Sequence, residues 1–485
     1  MRQHPLAICL FSALALAGVQ SANAGQIPGK LDAPNIPLSS QDRVYAAEQF
    51  SNTVSVTDPA SNRLLGLIRL GDTQPKNLSP LYRGEVLVHG LGFSPDHKTL
   101  AVVSIGTNSV TFIDTETNQV KHKTYVGRAP HEAFFTPDGK EVWVTIRGED
   151  YVSVIDATTF KEIDRIQLPA GPGMQMFSPD GKYGYVCSSF NPVTSVVSVA
   201  DHKVVGTMKQ ESPFCPNIAV TPDGNQVWIT LKDVGKVQVF DAHPPFKLLK
   251  TLVTGPITNH VNIAVNKHGS FAYVTVGGTN EVKVYRTDTF AQVATIQVGR
   301  LPHGVWISGD GTRAYVGLEN DDGLVAIDTL TNKVIKTIPI GQAPQAVAYV
   351  PRAVEHGDGT SGLEPLASSE QVDKISLVGG GAKDQTPPTS VSLFNQGLSQ
   401  VLQASVTGLK PKQTYVLALA ERANGTGQRE PLAEFQANPA GAAIVNAVGP
   451  IRERVKDVSE PAQRRYLVIL SKDDLQGVPV QVQAD

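Results

Sequence analysis

The sequence contains few cysteines and no long apolar run beyond its first two dozen residues. It has three cysteines among 485 residues, and Cys9 lies in an apolar N-terminal stretch, which leaves Cys187 and Cys215 for the rest of the chain. A small scaffold held together by many disulfides is therefore excluded. No later stretch approaches the roughly 18 apolar residues that a spanning helix needs, so we expect no transmembrane segment.

The chain also lacks a strong excess of charge of either sign. Its formal net charge is −3 at pH 7, from 42 basic and 45 acidic residues. Nucleic acids and anionic membranes are bound mainly through clustered Lys and Arg, so neither is expected as a main partner. A protein partner or a small organic ligand fits this composition better.

Local catalytic motifs are missing as well. The sequence contains neither the G-x-S-x-G motif of a nucleophilic serine nor the H-E-x-x-H motif of a zinc enzyme. The aspartates that recur in Pro-Asp-Gly and Ile-Asp-Thr contexts are accounted for by turn chemistry. The catalytic residues, if there are any, therefore stay unknown at this level.

The N-terminus has the three parts of a secretory signal peptide. Arg2 supplies a positive charge, an apolar stretch runs from Leu6 to Val19, and Ala22-Asn23-Ala24 is a small-x-small cleavage site. We therefore predict a signal peptide over residues 1–24, a lead-in over residues 25–42, and a periplasmic or secreted protein.

A turn signal recurs at nearly constant spacing in the next 300 residues. Its copies lie 42 to 45 residues apart and begin at Ser94, Thr136, Ser178, Thr221, Asn266 and Ser308. Between them, runs such as HEAFFT, EVWVTI, YVSVID and EIDRIQL alternate as strands do. Four strands in each repeat of 40 to 45 residues predict a β-propeller, and counting the repeats gives seven blades over residues 43–351.

The two ends of the repeat region predict how the ring closes. The region begins with three strands that lack an innermost partner, VYAAEQF, TVSVTDP and LLGLIRL, and it ends with one innermost strand, APQAVAYVP. We expect that last strand, residues 345–350, to complete blade one. Closure of this kind removes open sheet edges, which otherwise promote aggregation.

The repeat resembles a known family. The segments AYVTVGGTNEVKVYRTD (residues 272–288) and VWVTIRGEDYVSVIDATT (residues 142–159) are similar to the YVTN-type repeats of exported bacterial β-propellers. The resemblance covers residues 43–351 and implies seven blades. It implies no single activity, because this architecture hosts binding scaffolds, lactonases, lyases and cofactor-bearing reductases.

One phrase, Gly-Arg-x-Pro-His, occurs twice at equivalent positions of the repeat. Its histidines lie where the chain passes from an outer strand to an innermost strand, so we expect the equivalent residues to surround one mouth of the central channel. The candidate ligand-binding residues are His89, His131, His260, His303 and Gln345, with Arg128 and Arg300 as nearby positive charges.

Three interpretations of these histidines remain open. They pack structurally between blades, they bind an organic ligand or substrate, or His89, His131 and His303 hold a transition metal, since imidazole suits Cu, Zn, Fe and Ni. A carboxylate pair in the channel would need Glu132 and Glu48, which we expect at the surface.

Cys187 and Cys215 are expected near the same face of adjacent blades. In an oxidising compartment a disulfide is favoured there, and it would close a loop of about 28 residues. The alternatives are two unpaired buried thiols, or a soft Cu(I) site that includes Met174 and Met176.

The last part of the chain has a different composition. Residues 352–370 form a polar linker, and residues 371–485 contain about seven strand-like runs, which predict a small β-sandwich-like domain. The segment VTGLKPKQTYVLAL resembles the tyrosine corner of fibronectin type III domains, in which Tyr415 would cap a strand connection. The order of elements differs from that of such domains.

We therefore predict an all-β protein with a seven-bladed propeller and a C-terminal β-sandwich-like domain. The propeller is expected to act as a scaffold that binds a ligand or a protein through its channel mouth and loop faces. The alternative is an enzyme at the His-lined mouth, either lactonase-like or lyase-like, or a metal-dependent oxidoreductase.

Overall fold

The structure is a computed structural model that describes residues 37–71, 86–366, 372–379, 389–396, 399–456, 458 and 460–484. The predicted signal peptide and most of the lead-in lie outside these ranges. Within them, the helical elements are short: α1 (Arg452–Val455) and three 3-10 turns, at Lys232–Val234, Gly277–Thr279 and Pro461–Gln463. No helix among the described residues is long and apolar enough to cross a membrane.

The described residues from 43 to 350 form seven four-stranded antiparallel sheets, which are the blades of a propeller. In chain order the strands are β1 (Arg43–Glu48), β2 (Thr53–Asp58), β3 (Arg63–Arg69), β4 (Val88–Phe93), β5 (Thr99–Ser104), β6 (Ser109–Asp114), β7 (Val120–Tyr125), β8 (Pro130–Phe135), β9 (Glu141–Ile146), β10 (Tyr151–Asp156), β11 (Glu162–Gln167), β12 (Pro172–Phe177), β13 (Tyr183–Ser188), β14 (Val193–Ser198), β15 (Lys203–Lys209), β16 (Ile218–Val220), β17 (Gln226–Leu231), β18 (Lys236–Asp241), β19 (Leu248–Val253), β20 (Thr258–Asn266), β21 (Gly269–Val276), β22 (Glu281–Arg286), β23 (Gln292–Gln297), β24 (Pro302–Ile307), β25 (Arg313–Leu318), β26 (Gly323–Asp328), β27 (Lys333–Pro339) and β28 (Pro344–Val350). Blades two to seven each take four consecutive strands from β4 onward, with the innermost strand first.

The recurring turn joins the innermost strand of a blade to the second strand, and its side chains explain why. In blade four the Ser178 hydroxyl donates to Asp180 at 2.7 Å and accepts from the Tyr183 N–H at 2.9 Å. Gly181 has a φ of +73°, which glycine adopts at no steric cost. The spacing of these turns along the sequence therefore sets the boundaries of the blades.

The ring closes through β28, as the sequence predicts. This last strand pairs antiparallel with β1, with Arg43 opposite Val350, so blade one contains β28, β1, β2 and β3. Asp42 secures the junction, because its carboxylate accepts from the Arg352 N–H at 2.7 Å and from the Tyr349 hydroxyl. The two ends of the repeat region are thus hydrogen-bonded to each other.

Buried tyrosines connect one blade to the next. The Tyr45 hydroxyl of blade one donates to the Thr115 carbonyl of blade two at 3.3 Å, and the Tyr185 hydroxyl of blade four donates to the Ala242 carbonyl of blade five at 3.0 Å. Both rings are fully buried. Each ring removes apolar area from water while its hydroxyl satisfies a neighbouring carbonyl, which holds adjacent blades in register.

The C-terminal region forms one antiparallel sheet, which has eight strands among the described residues. They are β29 (Asp373–Gly379), β30 (Thr389–Gln396), β31 (Ser399–Val406), β32 (Thr414–Ala420), β33 (Arg429–Gln436), β34 (Ala443–Gly449), β35 (Tyr466–Ser471) and β36 (Gln481–Gln483). Their order is β33-β32-β35-β36-β29-β30-β31-β34, so the two edge strands are consecutive in the chain. The sheet therefore curls over on itself around a main apolar core, with a smaller apolar cluster formed by β32 and β35. This is how the predicted C-terminal β domain is built.

Tyr415 in β32 has the hydrogen bond of a tyrosine corner. Its hydroxyl accepts from the Lys410 N–H at 3.1 Å, five residues upstream, and its ring is buried in the domain core. The local resemblance to fibronectin type III domains thus extends to the contact itself, although the strand order of the sheet differs.

The C-terminal sheet packs on the end of the propeller at which the innermost strands begin, which we call the mouth face. The rings of Phe50 and Phe394 lie 4.6 Å apart, and Lys374 lies 2.8 Å from Asp321. Phe50 and Asp321 belong to loops between the second and third strands of blades one and seven. In an antiparallel blade these loops lie at the same end as the start of the innermost strand, so the sheet covers part of the channel mouth.

Candidate functional site

The four candidate histidines lie where innermost strands begin, and each lies beside a β-bulge. The pairing register between innermost and second strands shifts at four places: between Val88 and Leu91, between Pro130 and Ala133, between Thr258 and Val261, and between Pro302 and Val305. A bulge interrupts the alternation of side chains across a strand. Two consecutive residues, such as His131 and Glu132, can therefore both take part in the site.

The structure brings the four histidines into one row. The ring centroids of His131 and His89 lie 4.2 Å apart, those of His89 and His303 lie 6.5 Å apart, and those of His303 and His260 lie 4.7 Å apart. All four side chains are buried. Residues far apart in sequence, from blades three, two, seven and six, thus share one mouth.

Glu319 lies beside His303, the third histidine of this row. It follows β25, and its Oε2 atom lies 3.1 Å from Nδ1 of His303. Burial opposes the ionised form, but His303, Lys232 and a hydrogen bond from Gln345 outweigh that effect and lower the pKa of Glu319 to about 2. Gln345 thus reaches the site through Glu319.

Glu132 lies beside the first two histidines of the row, His131 and His89. Its Oε1 atom lies 4.0 Å from Nδ1 of His89 and 3.9 Å from Nδ1 of His131. Burial raises the pKa of Glu132 to about 8, although the N–H of Leu91 donates to the carboxylate and opposes the shift. The side chain is only 2% exposed, so our expectation of a surface position is wrong.

Glu48 is also fully buried rather than at the surface, but it has a structural role. Its Oε1 atom accepts from the Gly341 N–H at 2.8 Å, and it accepts a further hydrogen bond from the Thr53 hydroxyl. These contacts join blade one to the loop that precedes β28. Glu48 is therefore not a partner of Glu132 in a carboxylate pair.

Three histidines of the row, His89, His131 and His260, are held in the neutral form. Burial lowers the pKa of His89 to about 3, with further lowering by His303 and Arg147. Burial and neighbouring cationic or imidazole groups also hold the pKa values of His131 and His260 well below the usual range. Neutral imidazole keeps a nitrogen lone pair for a hydrogen bond or a metal ion.

Two cations and an aromatic ring lie where the histidine row is interrupted. The guanidinium carbon of Arg147 lies 5.2 Å from the centroid of the Phe214 ring, and Nζ of Lys232 lies 5.5 Å from the same centroid. Burial lowers the pKa of both cations, and both act electrostatically on His89. This side of the mouth is therefore positively charged.

Sequence reasoning missed Arg147, Lys232 and Glu319. Each is the residue immediately after the second strand of its blade, namely β9, β17 and β25. A charged residue at that repeat position in blades three, five and seven was the available signal, because the position lies at the same end of the blade as the histidines.

Arg128 and Arg300 have other contacts. Arg128 is exposed, donates to the Gly148 carbonyl at 2.6 Å and lies 3.4 Å from Glu149. Arg300 donates to Ser376 in the C-terminal sheet at 2.9 Å. The positive charge that acts on the histidines comes from Arg147 and Lys232 instead.

Three buried polar atoms near one another have no hydrogen-bond partner among the residues that the structure describes. They are Nδ1 of His89, Nδ1 of His131 and Oε1 of Glu132; Nδ1 of His303 also lacks a well-oriented hydrogen bond, but it lies 3.1 Å from Oε2 of Glu319. Leaving such an atom unsatisfied costs about 1 to 3 kcal/mol, so native proteins usually pair it with protein, water or a ligand. The three atoms therefore mark a place for a bound species.

The two cysteines lie near this region but are bonded to each other. A disulfide joins Cys187, near the end of β13, to Cys215, which precedes β16 in the next blade. Met174 lies opposite Cys187 in β12, and both are buried in the same core. Because both sulfurs are in the disulfide, neither is a thiolate for a soft Cu(I) site.

The comparisons agree with this architecture. Residues 110–337, just under half of the chain, match the sequence profile of the family described as "Lactonase, 7-bladed beta-propeller". No curated protein matches the chain. Fold and profile together define an all-β protein with a seven-bladed propeller that is similar to lactonases, while the YVTN type of its repeat stays a prediction.

Two solved structures share the propeller. A chain of the Kuenenia stuttgartiensis hydrazine synthase is 19% identical with a TM-score of 0.52, over 66% of this chain and 99% of that chain. A functionally unknown protein from Desulfotomaculum acetoxidans is 16% identical with a TM-score of 0.53, over 63% of this chain and 98% of that chain. At such identities the likeness concerns the fold alone.

Proposed function

We propose that the mouth face binds a small organic anion where Arg147 and Lys232 approach the row of histidines. The observation that carries the proposal is that no carboxylate lies within ion-pair distance of either cation among the described residues. Partly buried cations without a counter-ion are costly, and a bound anion offsets that cost.

The neighbouring groups favour a carboxylate or phosphate oxygen. The guanidinium fork of Arg147 matches either group with two parallel hydrogen bonds, and Lys232 adds a second charge. Phe214 lies next to both cations, and its ring offers an apolar surface to the rest of the ligand. The C-terminal sheet covers another part of the mouth face, which favours a small ligand over a macromolecule.

We also propose that the protein acts outside the cytoplasm, as a periplasmic or secreted binding protein. The N-terminal sequence pattern and the Cys187–Cys215 disulfide support this location. Fractionation of cells that express the full sequence tests it. Mature protein in the periplasm or medium, shortened by about 24 residues, is the expected result, and full-length cytoplasmic protein contradicts it.

Calorimetric titration with a panel of monocarboxylates, dicarboxylates and phosphate esters tests the anion site. The protein is treated with a chelator first, so that bound metal plays no part. Replacing Arg147 with Met should weaken binding of the best ligand by at least about tenfold, the usual loss for one charge-assisted hydrogen bond. The matched control is Arg128→Met, which changes an exposed arginine of the same blade and should leave the affinity unchanged. Absence of binding, or equal weakening in both variants, contradicts the proposal.

Lactone hydrolysis is the second candidate, and the profile match over residues 110–337 favours it. Hydrolysis of a lactone yields a hydroxycarboxylate, which belongs to the anion class that Arg147 and Lys232 would bind. A panel of lactones, assayed by acid release, tests this candidate. Turnover that is lost in Arg147→Met and retained in Arg128→Met supports an enzyme. If no lactone is hydrolysed, anion binding remains the only proposed role of the site.

A further inference from the structure

We propose that His89, His131 and Glu132 form a site for one divalent transition-metal ion, with zinc as the best fit, between blades two and three. This inference goes beyond the anion site and does not depend on it. The three residues come from the starts of β4 and β8, which are adjacent innermost strands.

The ligand atoms have nearly the spacing that a metal requires. Oε1 of Glu132 lies 4.0 Å from Nδ1 of His89 and 3.9 Å from Nδ1 of His131. Zinc bonds of 2.0 to 2.2 Å in a tetrahedron would place these atoms about 3.4 Å apart. All three ligand atoms lie within 4.8 Å of one another, so side-chain rotations that move them by about one ångström close the difference.

These same three atoms lack hydrogen-bond partners among the described residues. The remaining polar groups of two of the side chains are engaged. The ring of His131 donates to the Gly173 carbonyl, and the donor is Nε2 because Nδ1 has no partner. The N–H of Leu91 donates to the Glu132 carboxylate. Metal-binding histidines and carboxylates are typically oriented by such outer contacts, which leave the ligand lone pair directed at the metal.

Gly90 allows this arrangement. A Cβ atom at that position would lie 2.6 Å from Oε2 of Glu132 and would also clash with the backbone of His131. The absence of a side chain on Gly90 thus lets Glu132 of blade three lie directly against blade two, beside His89.

The other two histidines of the row are engaged elsewhere. Nδ1 of His303 lies 3.1 Å from Glu319, and Nδ1 of His260 lies 3.3 Å from the side-chain amide nitrogen of Asn217. Glu132 therefore takes the place that the sequence analysis gave to His303. No sulfur belongs to the group, and two imidazoles with one carboxylate form a ligand set known from catalytic zinc sites.

The charges of the site are compatible with a cation. The Glu132 carboxyl is almost fully buried beside both imidazoles, and on binding a metal ion it would lose its proton and supply one negative charge. Three protein ligands leave the fourth position of a tetrahedral zinc ion for water or for an anion at the mouth.

The test is a titration of the chelator-treated full-length mature protein with Zn²⁺ alone, in buffer that contains no carboxylate or phosphate. Competition with a chromophoric chelator gives stoichiometry and affinity, and Co²⁺ substitution gives an absorption spectrum that reports the coordination geometry. We expect one ion per chain, an intense tetrahedral Co²⁺ spectrum, and an affinity at least about 100-fold lower in Glu132→Gln and in His131→Ala.

Glu132→Gln keeps the side-chain volume, so a folded variant is expected, and thermal unfolding verifies it. His243→Ala removes an exposed histidine of blade five and should change neither stoichiometry nor affinity. Substoichiometric binding by folded wild-type protein overturns the proposal, as does binding that Glu132→Gln leaves intact. The anion titration is done without metal, so it succeeds or fails independently.

Discussion

Nδ1 of His303 lies 3.1 Å from Oε2 of Glu319, and both side chains are almost fully buried. This contact divides the histidine row into two halves. His303 lies at ion-pair distance from Glu319, and His260 contacts Asn217, whereas His89 and His131 share Glu132 as their nearest carboxylate. We expect a bound ion at the shared carboxylate, where neither imidazole has a close anionic partner of its own.

Glu319 should make the protein sensitive to acid. Its pKa is lowered to about 2 in the folded state, below the 4.5 of an unperturbed glutamate. A carboxyl whose pKa is lowered by folding stabilises the protein at pH values above its pKa in the unfolded chain. This stabilisation is lost as the pH falls toward its pKa in the folded protein. The free energy of unfolding should therefore drop by about 2 kcal/mol from this group between pH 5 and pH 3. Denaturant unfolding should show this drop in wild-type protein and a smaller one in Glu319→Gln, with exposed Glu355→Gln as the control.

His202 should stabilise the protein at low pH and lose this effect as the pH rises. Its Nδ1 lies 2.6 Å from Asp164 and its Nε2 lies 3.0 Å from Glu141. Burial works against the charged ring, but the two carboxylates outweigh it and raise the pKa of His202. The contribution of His202 to the free energy of unfolding is therefore full below about pH 6.5, the pKa of histidine in the unfolded chain. It is lost as the pH rises through the pKa of His202 in the folded protein.

Replacing His202 with Gln should accordingly destabilise the protein by about 1 kcal/mol at pH 5, after allowance for solvent screening, and by much less at pH 9. Unfolding curves at both pH values measure the difference. The control is His243→Gln, an exposed histidine beside Asp241. An equal loss at both pH values would show that His202 stabilises through packing alone.

The disulfide should stabilise blades four and five. Cys187 and Cys215 are 28 residues apart in sequence, and closing a loop of that length restricts the unfolded chain by roughly 3 to 4 kcal/mol. The double variant Cys187→Ser/Cys215→Ser should lose about that much in denaturant unfolding. Reduced wild-type protein should resemble the variant, and oxidised and reduced protein of equal stability would contradict the expectation.

Phe394 should hold the C-terminal sheet on the mouth face. Its ring is fully buried and lies 4.6 Å from that of Phe50 in blade one. Truncating a buried phenylalanine to alanine typically costs 3 to 5 kcal/mol. Phe394→Ala should therefore speed limited proteolysis between the propeller and the C-terminal domain severalfold, while Val448→Ala, at a position 69% exposed, should not. An unchanged rate of proteolysis would show that the polar contacts of Asp321 and Arg300 are enough to hold the C-terminal sheet on the mouth face.

The repeat allowed the sequence to predict much of the site. Equal spacing from the turn glycine placed His89, His131, His303 and Gln345 at one end of the ring, because every blade obeys the same geometry. Glu132 was wrongly expected at the surface, since strand alternation alone directs it away from His131 and only the bulge brings both to the channel.

The amino-acid sequence by itself determined the propeller, its seven blades and its closing strand, because turn chemistry and strand alternation act over a few residues and recur every 42 to 45. Only the tertiary structure decided which side chains meet at the mouth. The groups at the mouth are Arg147, Lys232, Glu319 and the unpartnered atoms of His89 and Glu132. They come from blades two, three, five and seven, and their distances and burial depend on how closed blades pack against one another and against the C-terminal sheet. The repeat position of a residue indicates which end of its blade it occupies, but the contacts between blades act between residues distant in the chain and are not encoded locally.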